Sequence, residues 1–258
     1  MQSRWKKFIM RTFWPLMPGW PDEGRRIVQS PHLRAFLDRA SSSSPSLRRV
    51  FNAGAGEGGY SRMLLALPGV QTVVESDFGW RSQPPSRFDP RQRFFCSSLD
   101  SIPTQSRNFD LVFCTEVLEH VEQHDQALDE IARILAPGGW LLISVPTPPA
   151  EPDPNHVREG YRPEELQRML SLRGFEVLET RFCMHFFFRW LLRNFPRLPW
   201  CPRILIRTLS YADRLLPIGP PMDLLILARL AHPAGALPSS TASGAQRSAQ
   251  DANLIPAR

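Results

Sequence analysis

The chain has 258 residues, a formal net charge of +6 and 42% hydrophobic residues, a length and composition that suit one α/β domain with appended elements. No run of about 18 uncharged apolar residues suggests a spanning helix. The four cysteines, Cys96, Cys114, Cys183 and Cys201, form no C-x-x-C pair, so they read as reduced thiols, not as a metal site or a disulfide frame.

Residues 1–30 read as a basic, aromatic lead segment in which Arg4, Lys6, Lys7 and Arg11 alternate with Trp5, Phe8, Phe13 and Trp14. It lacks the apolar core and cleavage site of a secretory signal. Pro31 to Ala40 is predicted as a helix, followed by a serine-rich break. The run Val50-Phe51-Asn52-Ala53-Gly54-Ala55-Gly56-Glu57-Gly58-Gly59 then reads as a strand and a tight turn, and Tyr60 to Leu67 as a helix. A side chain at those glycines would hold a nucleotide-like ligand off the main chain. Gly54, Gly56 and Gly59 fit the dinucleotide spacing G-x-G-x-x-G. Gly54, Gly56 and Gly58 fit G-x-G-x-G, the tighter loop of S-adenosylmethionine (SAM) enzymes, and the spacing leaves both open. Either ligand calls for an acid after the second strand, where a carboxylate can accept hydrogen bonds from ribose hydroxyls. Thr72 to Asp77 supplies it, with Asp77 the first choice and Glu75 the alternative.

Asn108 to Thr115 is predicted as the fourth strand, running through a short loop into a helix, and Ala127 to Ala136 as a helix closed by Pro137-Gly138-Gly139. Trp140 to Pro146 is the fifth strand. A proline-rich loop, Thr147 to Pro163, would lie over the ligand edge of the sheet, and the helix from Pro163 to Ser171 has Glu164 and Glu165 in its first turn, where the dipole favours acids. Gly174 to Glu179 and Asp223 to Arg229 are the last strands. Residues 232–258, rich in Ala, Ser, Pro and Gly, read as a disordered tail. This alternation predicts a parallel sheet with helices on both faces and a ligand beyond the carboxyl ends of its strands.

From Arg48 to Glu179 the segments Phe109-Asp110-Leu111-Val112, Glu116-Val117-Leu118-Glu119-His120-Val121 and Pro137-Gly138-Gly139 occur in one order. In that order they resemble the class I SAM-dependent methyltransferases, in particular the small-molecule branch. The resemblance implies a Rossmann-like, doubly wound, mostly parallel seven-stranded sheet with an antiparallel last strand. The domain would span 31–231, with an arginine- and aromatic-rich insertion at 182–221. The resemblance further implies SAM as cofactor and methyl transfer to an O, N or C atom of a small or amphiphilic molecule, with no metal. Gly54, Gly56 and Gly58 would pass beneath the amino-acid part and ribose, Asp77 would hold the ribose hydroxyls, and Glu116 would lie close to donor and acceptor. The family commonly carries acids where this chain has Asn52 and Ser98; both replacements keep hydrogen-bonding capacity.

His120, His156 and Tyr161 are the groups near the ligand edge that could take a proton. His120 also reads as a structural residue, and Glu116 with Glu119 as an ordinary acid pair at a helix N-terminus. In Phe182 to Phe195, Arg189 and Arg193 lie four apart on an apolar stretch, and Arg197, Arg203, Arg207 and Arg214 continue the pattern. Such a face suits an amphiphilic substrate or peripheral contact with the inner face of a membrane, for a protein otherwise placed in the cytoplasm. The other reading is a lid that turns its arginines to water. Nucleic acid ranks second as a partner, because the positive charge lies in apolar surroundings and no RNA-binding module is present. Two further readings remain: an inactive scaffold subunit, motivated by Asn52 and Ser98, and a nicotinamide-dependent oxidoreductase, which rests on Gly54, Gly56 and Gly59 alone.

Overall fold

The strands are apolar on both faces because both faces of the sheet are covered. Val50, Val73, Leu111, Phe113, Leu225 and Leu227 belong to one buried cluster, and their neighbours Phe51, Val74, Val112, Cys114, Leu224 and Ile226 to the other. Successive strand residues point to opposite sides, so one short sequence feeds two cores. A computed structural model describes residues 14–43, 47–81, 88–198 and 200–231. The expected tail and the first part of the lead segment lie outside them.

The strands are β1 (Arg49–Ala53), β2 (Thr72–Ser76), β3 (Gln92–Phe95), β4 (Phe109–Thr115), β5 (Leu135–Pro146), β6 (Phe175–Cys183) and β7 (Asp223–Leu230). They form one sheet in the order β3-β2-β1-β4-β5-β7-β6. The first five run parallel, with Val50 opposite Val73 and Phe51 opposite Val112, while β7 enters antiparallel between β5 and β6, with Ile143 opposite Ile226. The expected sheet is therefore present, its antiparallel strand included. The order reverses between β1 and β4, and in such sheets the crevice at the reversal is where ligands bind.

Helices α1 (Pro21–Ser43), α2 (Ser61–Leu65), α3 (His124–Ile134), α4 (Pro163–Ser171), α5 (Phe186–Asn194) and α6 (Arg203–Leu215) complete the layers. Two boundaries differ from the sequence reading. The first helix begins at Pro21 and runs through Pro31. Proline is usually a start signal or a break. Here burial of Val28, Leu33, Phe36, Leu37 and Ala40 outweighs the lost backbone bond. At the other boundary, Pro137-Gly138-Gly139 does not close a helix. Helix α3 ends at Ile134, and the pairing of β5 with β4 jumps from Leu135 opposite Phe109 to Trp140 opposite Leu111, so the glycines form a bulge.

The insertion between β6 and β7 packs onto α1. A Cβ at Gly24 would come within 2.5 Å of Ser210 Oγ, so α1 and α6 cross closely there. Glu23 receives Arg203 at 3.0 Å and Arg207 at 3.3 Å, and both guanidiniums also lie over the ring of Trp14. The described end of the lead segment is thus docked on the insertion. Asp213 of α6, fully buried, accepts the backbone N–H of His185 at 2.8 Å and of Phe188 at 2.9 Å, and so caps the start of α5. Asp213→Ala is expected to lower unfolding free energy by about 1–3 kcal/mol in a urea titration, because two buried donors lose their acceptor.

Candidate functional site

The loop after β1 needs glycine for two separate reasons. Gly54 has φ +61°, and a Cβ there would run into Val117 Cγ2. Gly56 has φ +52° with nothing within 4 Å of a built Cβ, so only its backbone conformation demands glycine and the space above it is open. Asp77 locks this loop from the end of β2. Its Oδ2 accepts Gly56 N–H at 2.8 Å and its Oδ1 accepts Gly79 N–H at 2.7 Å. Each oxygen keeps a second lone pair for a ligand.

A cavity of about 1020 Å³ opens beside this loop, lined by Gly54, Asp77, Ser98, Glu116, Val117 and His120 among others. A second cavity, of about 720 Å³, lies on the other side of Glu116 and includes Arg25, His156, Leu192, Arg193 and Asp223. Glu116 lines both. It follows β4 directly and has φ 55°, a left-handed conformation that is uncommon away from glycine and is found at functional sites where the surroundings enforce it. The enforcement is visible: its N–H donates to Ser144 O at 3.0 Å, its Oε1 accepts Ser144 Oγ at 2.8 Å and Gln29 Nε2 at 3.3 Å, and its Oε2 pairs with Arg25.

Around that pair lies a network that the sequence reading missed. Gln29 Nε2 also donates to Asp223 Oδ2 at 2.7 Å, and Tyr60 OH donates to Gln29 Oε1 at 2.5 Å. Burial and the neighbouring Glu116 carboxylate push the Asp223 carboxyl well above the usual range. Burial likewise raises Tyr60. Arg25 and Glu116 are 91 positions apart, and no local pattern links them. The one local relation is that Arg25 and Gln29 lie on one helix face, i and i+4.

The remaining predicted residues separate cleanly. Gly58 has φ 75° and turns the same loop, and Ser98 lines the larger cavity. Asn52 does not reach that cavity: it is buried in β1 with its amide 3.5 Å from Glu75. Glu75 is fully buried as well, bonded also by Gln92 at 3.3 Å, and burial raises its pKa, so this alternative acid is an internal strut. Tyr161 lines neither cavity. Its hydroxyl lies 2.9 Å from His124 Nδ1 and donates to Leu118 O at 3.3 Å in a fully buried position, and burial raises its pKa, which corrects its reading as a proton acceptor at the ligand edge. Glu116 and Glu119 are not a helix N-terminal pair either, since α3 begins at His124 and only a short 3-10 turn, Leu118–His120, lies between. His120 and His156 do come together, with ring centroids 4.8 Å apart. Burial, and then the neighbouring His120, lower the His156 pKa.

The chain is a doubly wound α/β protein with a glycine turn after β1 and an acid after β2 beside one cavity, the place where such sheets bind ligands. Residues 51–143 match the family described as "Methyltransferase domain". A probable S-adenosylmethionine-dependent methyltransferase of Mycolicibacterium smegmatis is 31% identical over 146 residues, 54% of this chain and 56% of that protein. The chain thus spans about half the length of that relative. Among solved structures, a SAM-dependent methyltransferase from Archaeoglobus fulgidus aligns with TM-score 0.52 and 17% identity over 77% of this chain and 93% of its own. The cyclase SpnF aligns with TM-score 0.52 and 17% identity over 78% and 82%. Over residues 51–143 the chain is thus similar to SAM-dependent methyltransferases. The cyclase shows that the fold alone does not fix the reaction.

Because Tyr161 acts inside the core, Tyr161→Phe is expected to cost about 1 kcal/mol of stability by urea unfolding, the worth of one buried hydroxyl bond.

Proposed function

We propose that this chain moves a methyl group from SAM to an O, N or C atom of a small, amphiphilic acceptor, with the donor in the 1020 Å³ cavity and the acceptor in the 720 Å³ cavity. The observation that carries this reading is the convergence of Gly54, Asp77, Ser98 and Glu116 on one cavity at the β1/β4 reversal. When bound, SAM supplies an already activated methyl, so the chain's work is to position and to exclude water. Gly54, Gly56 and Gly58 let the backbone approach the ligand, Asp77 offers two free lone pairs to the ribose diol, and Ser98 meets the adenine side. Asn52 contributes by holding β1 against Glu75 and not by touching the ligand. Glu116, fixed by Arg25 and Ser144, stands where donor and acceptor meet. His120 and His156 are the titratable rings at that border.

The acceptor's character follows from the walls of its cavity. Leu192 and Met222 offer apolar surface, with Arg197 at the edge and Arg193 paired there with Glu151 at 2.9 Å, an arrangement of apolar wall and charged rim that suits an amphiphile. Helix α5, which contributes Leu192 and Arg193, exposes Phe186 and Trp190 on its outer side, and Leu215, Leu216 and Ile218 are exposed nearby in sequence to α6. No helix among the described residues is long and apolar enough to cross a membrane. These side chains would instead rest on an anionic lipid surface and bring the acceptor to the cavity. Trp190→Ala is expected to reduce sedimentation with anionic phospholipid vesicles several-fold, and no vesicle binding by the unmodified chain would remove lipid contact from the account.

Calorimetric titration with SAM, S-adenosylhomocysteine and NADH tests the donor assignment. SAM and its product should bind and NADH should not. Asp77→Ala should weaken both by about tenfold or more, a loss of roughly 1.4 kcal/mol or more. Absence of binding by SAM and its product would overturn the reading.

A further inference from the structure

We propose that Glu119, His120 and His156 form a site for one divalent transition-metal ion, zinc by ligand type, at the border of the two cavities. Each brings one ligand atom to within 4.8 Å of the others. The carboxylate of Glu119 is the unusual member. Its side chain is 1% exposed, and neither oxygen has a hydrogen-bond partner. An isolated buried carboxylate is costly, and such groups are normally paired or bound to metal. Glu119 Oε1 lies 3.8 Å from His120 Nε2.

The second ligand is already oriented. His120 Nδ1 is 3.0 Å from Asn155 O, a backbone acceptor, so Nδ1 carries the proton and Nε2 presents its lone pair toward Glu119. A backbone carbonyl on the far ring nitrogen is the usual way a ligating histidine has its tautomer fixed. His156, whose ring meets that of His120 edge-on, completes the set from the loop that follows β5. Adjacent ligands around tetrahedral zinc, at bonds of about 2.0–2.1 Å, stand roughly 3.3 Å apart. Metal binding therefore has to draw the ligand atoms in from separations of up to 4.8 Å, the Glu119–His120 pair from 3.8 Å.

Two imidazoles with one carboxylate suit zinc and its first-row neighbours rather than magnesium or calcium, which take oxygen ligands. Three protein ligands leave a fourth position open. Access comes from both sides, since His120 lines the larger cavity and His156 the smaller. The open position then takes an oxygen of the acceptor, an assignment that rests on the methyl-transfer reading, whereas the metal site itself does not. It narrows the acceptor to an oxygen-bearing molecule.

The test titrates the chelator-treated full chain with Zn²⁺ by calorimetry and counts metal per chain by mass spectrometry. One ion per chain is expected. His156→Asn and Glu119→Gln should each weaken it at least tenfold with unchanged circular dichroism, while Cys96→Ser, which removes the exposed thiol, should bind as the unmodified chain does. The proposal is overturned if the chain takes up no stoichiometric zinc, leaving Glu119 as a buried neutral acid, or if zinc binding survives both the His156 and the Glu119 substitutions. S-adenosylhomocysteine titrated into the same preparations reads the donor cavity separately, so zinc uptake without product binding would sink the methyl-transfer reading and leave the metal site standing.

Discussion

The ion pair between Arg25 and Glu116 is the contact on which the arrangement of the site depends. It joins helix α1 to the residue that follows the central strand β4, and Glu116 lines both cavities. Glu116 could not keep its left-handed backbone without partners, and Ser144 and Gln29 hold the oxygen that Arg25 leaves free. Asp223 lies against the same network: burial and the Glu116 carboxylate raise its carboxyl well above the usual range, and Gln29 donates to both acids. Breaking a pair of this kind strands a partly buried charge, which is why such pairs fix geometry more dependably than they add stability.

From that junction the architecture follows. The sheet provides a rigid reversal point, with β1 delivering the glycine loop and β4 delivering Glu116 on adjacent strands. Helix α1 and the insertion between β6 and β7 then wall the smaller cavity, tied together by Glu23 with Arg203 and Arg207 and by the close crossing at Gly24. The larger cavity is built from loops at the edge of the sheet. The smaller one is built from segments far apart in sequence, and those segments carry the apolar and arginine-rich surface. Specificity on such a scaffold belongs to the added elements, while the common chemistry belongs to the sheet edge.

This division explains what could be read from the sequence. The glycine turn and the strands were legible because each is a local pattern, a turn that requires positive φ and short apolar runs between turn signals, whereas the antiparallel strand was expected only from the resemblance. Helix α1 was misjudged at its start because Pro31 looks like punctuation, and only the sheet beneath it reveals why a proline is tolerated there. Asn52 and Glu75 looked like ligand groups because strand residues next to a motif carry no sign of which face they occupy; the register shows both turned inward against each other. Tyr161 lies in the loop before α4, where no periodic pattern tells that its ring turns into the core. Arg25, Gln29, Asp223 and the unpartnered Glu119 acquire meaning only through contacts across tens of residues, which composition and spacing do not encode.

A crystal structure of the chain with S-adenosylhomocysteine tests the central claim most directly. The account predicts the ribose hydroxyls within hydrogen-bond distance of Asp77, the backbone of Gly54 to Gly58 beneath the ligand, and the sulfur facing Glu116 at the border of the two cavities. Product bound elsewhere, or a ligand whose ribose lies away from Asp77, would contradict it.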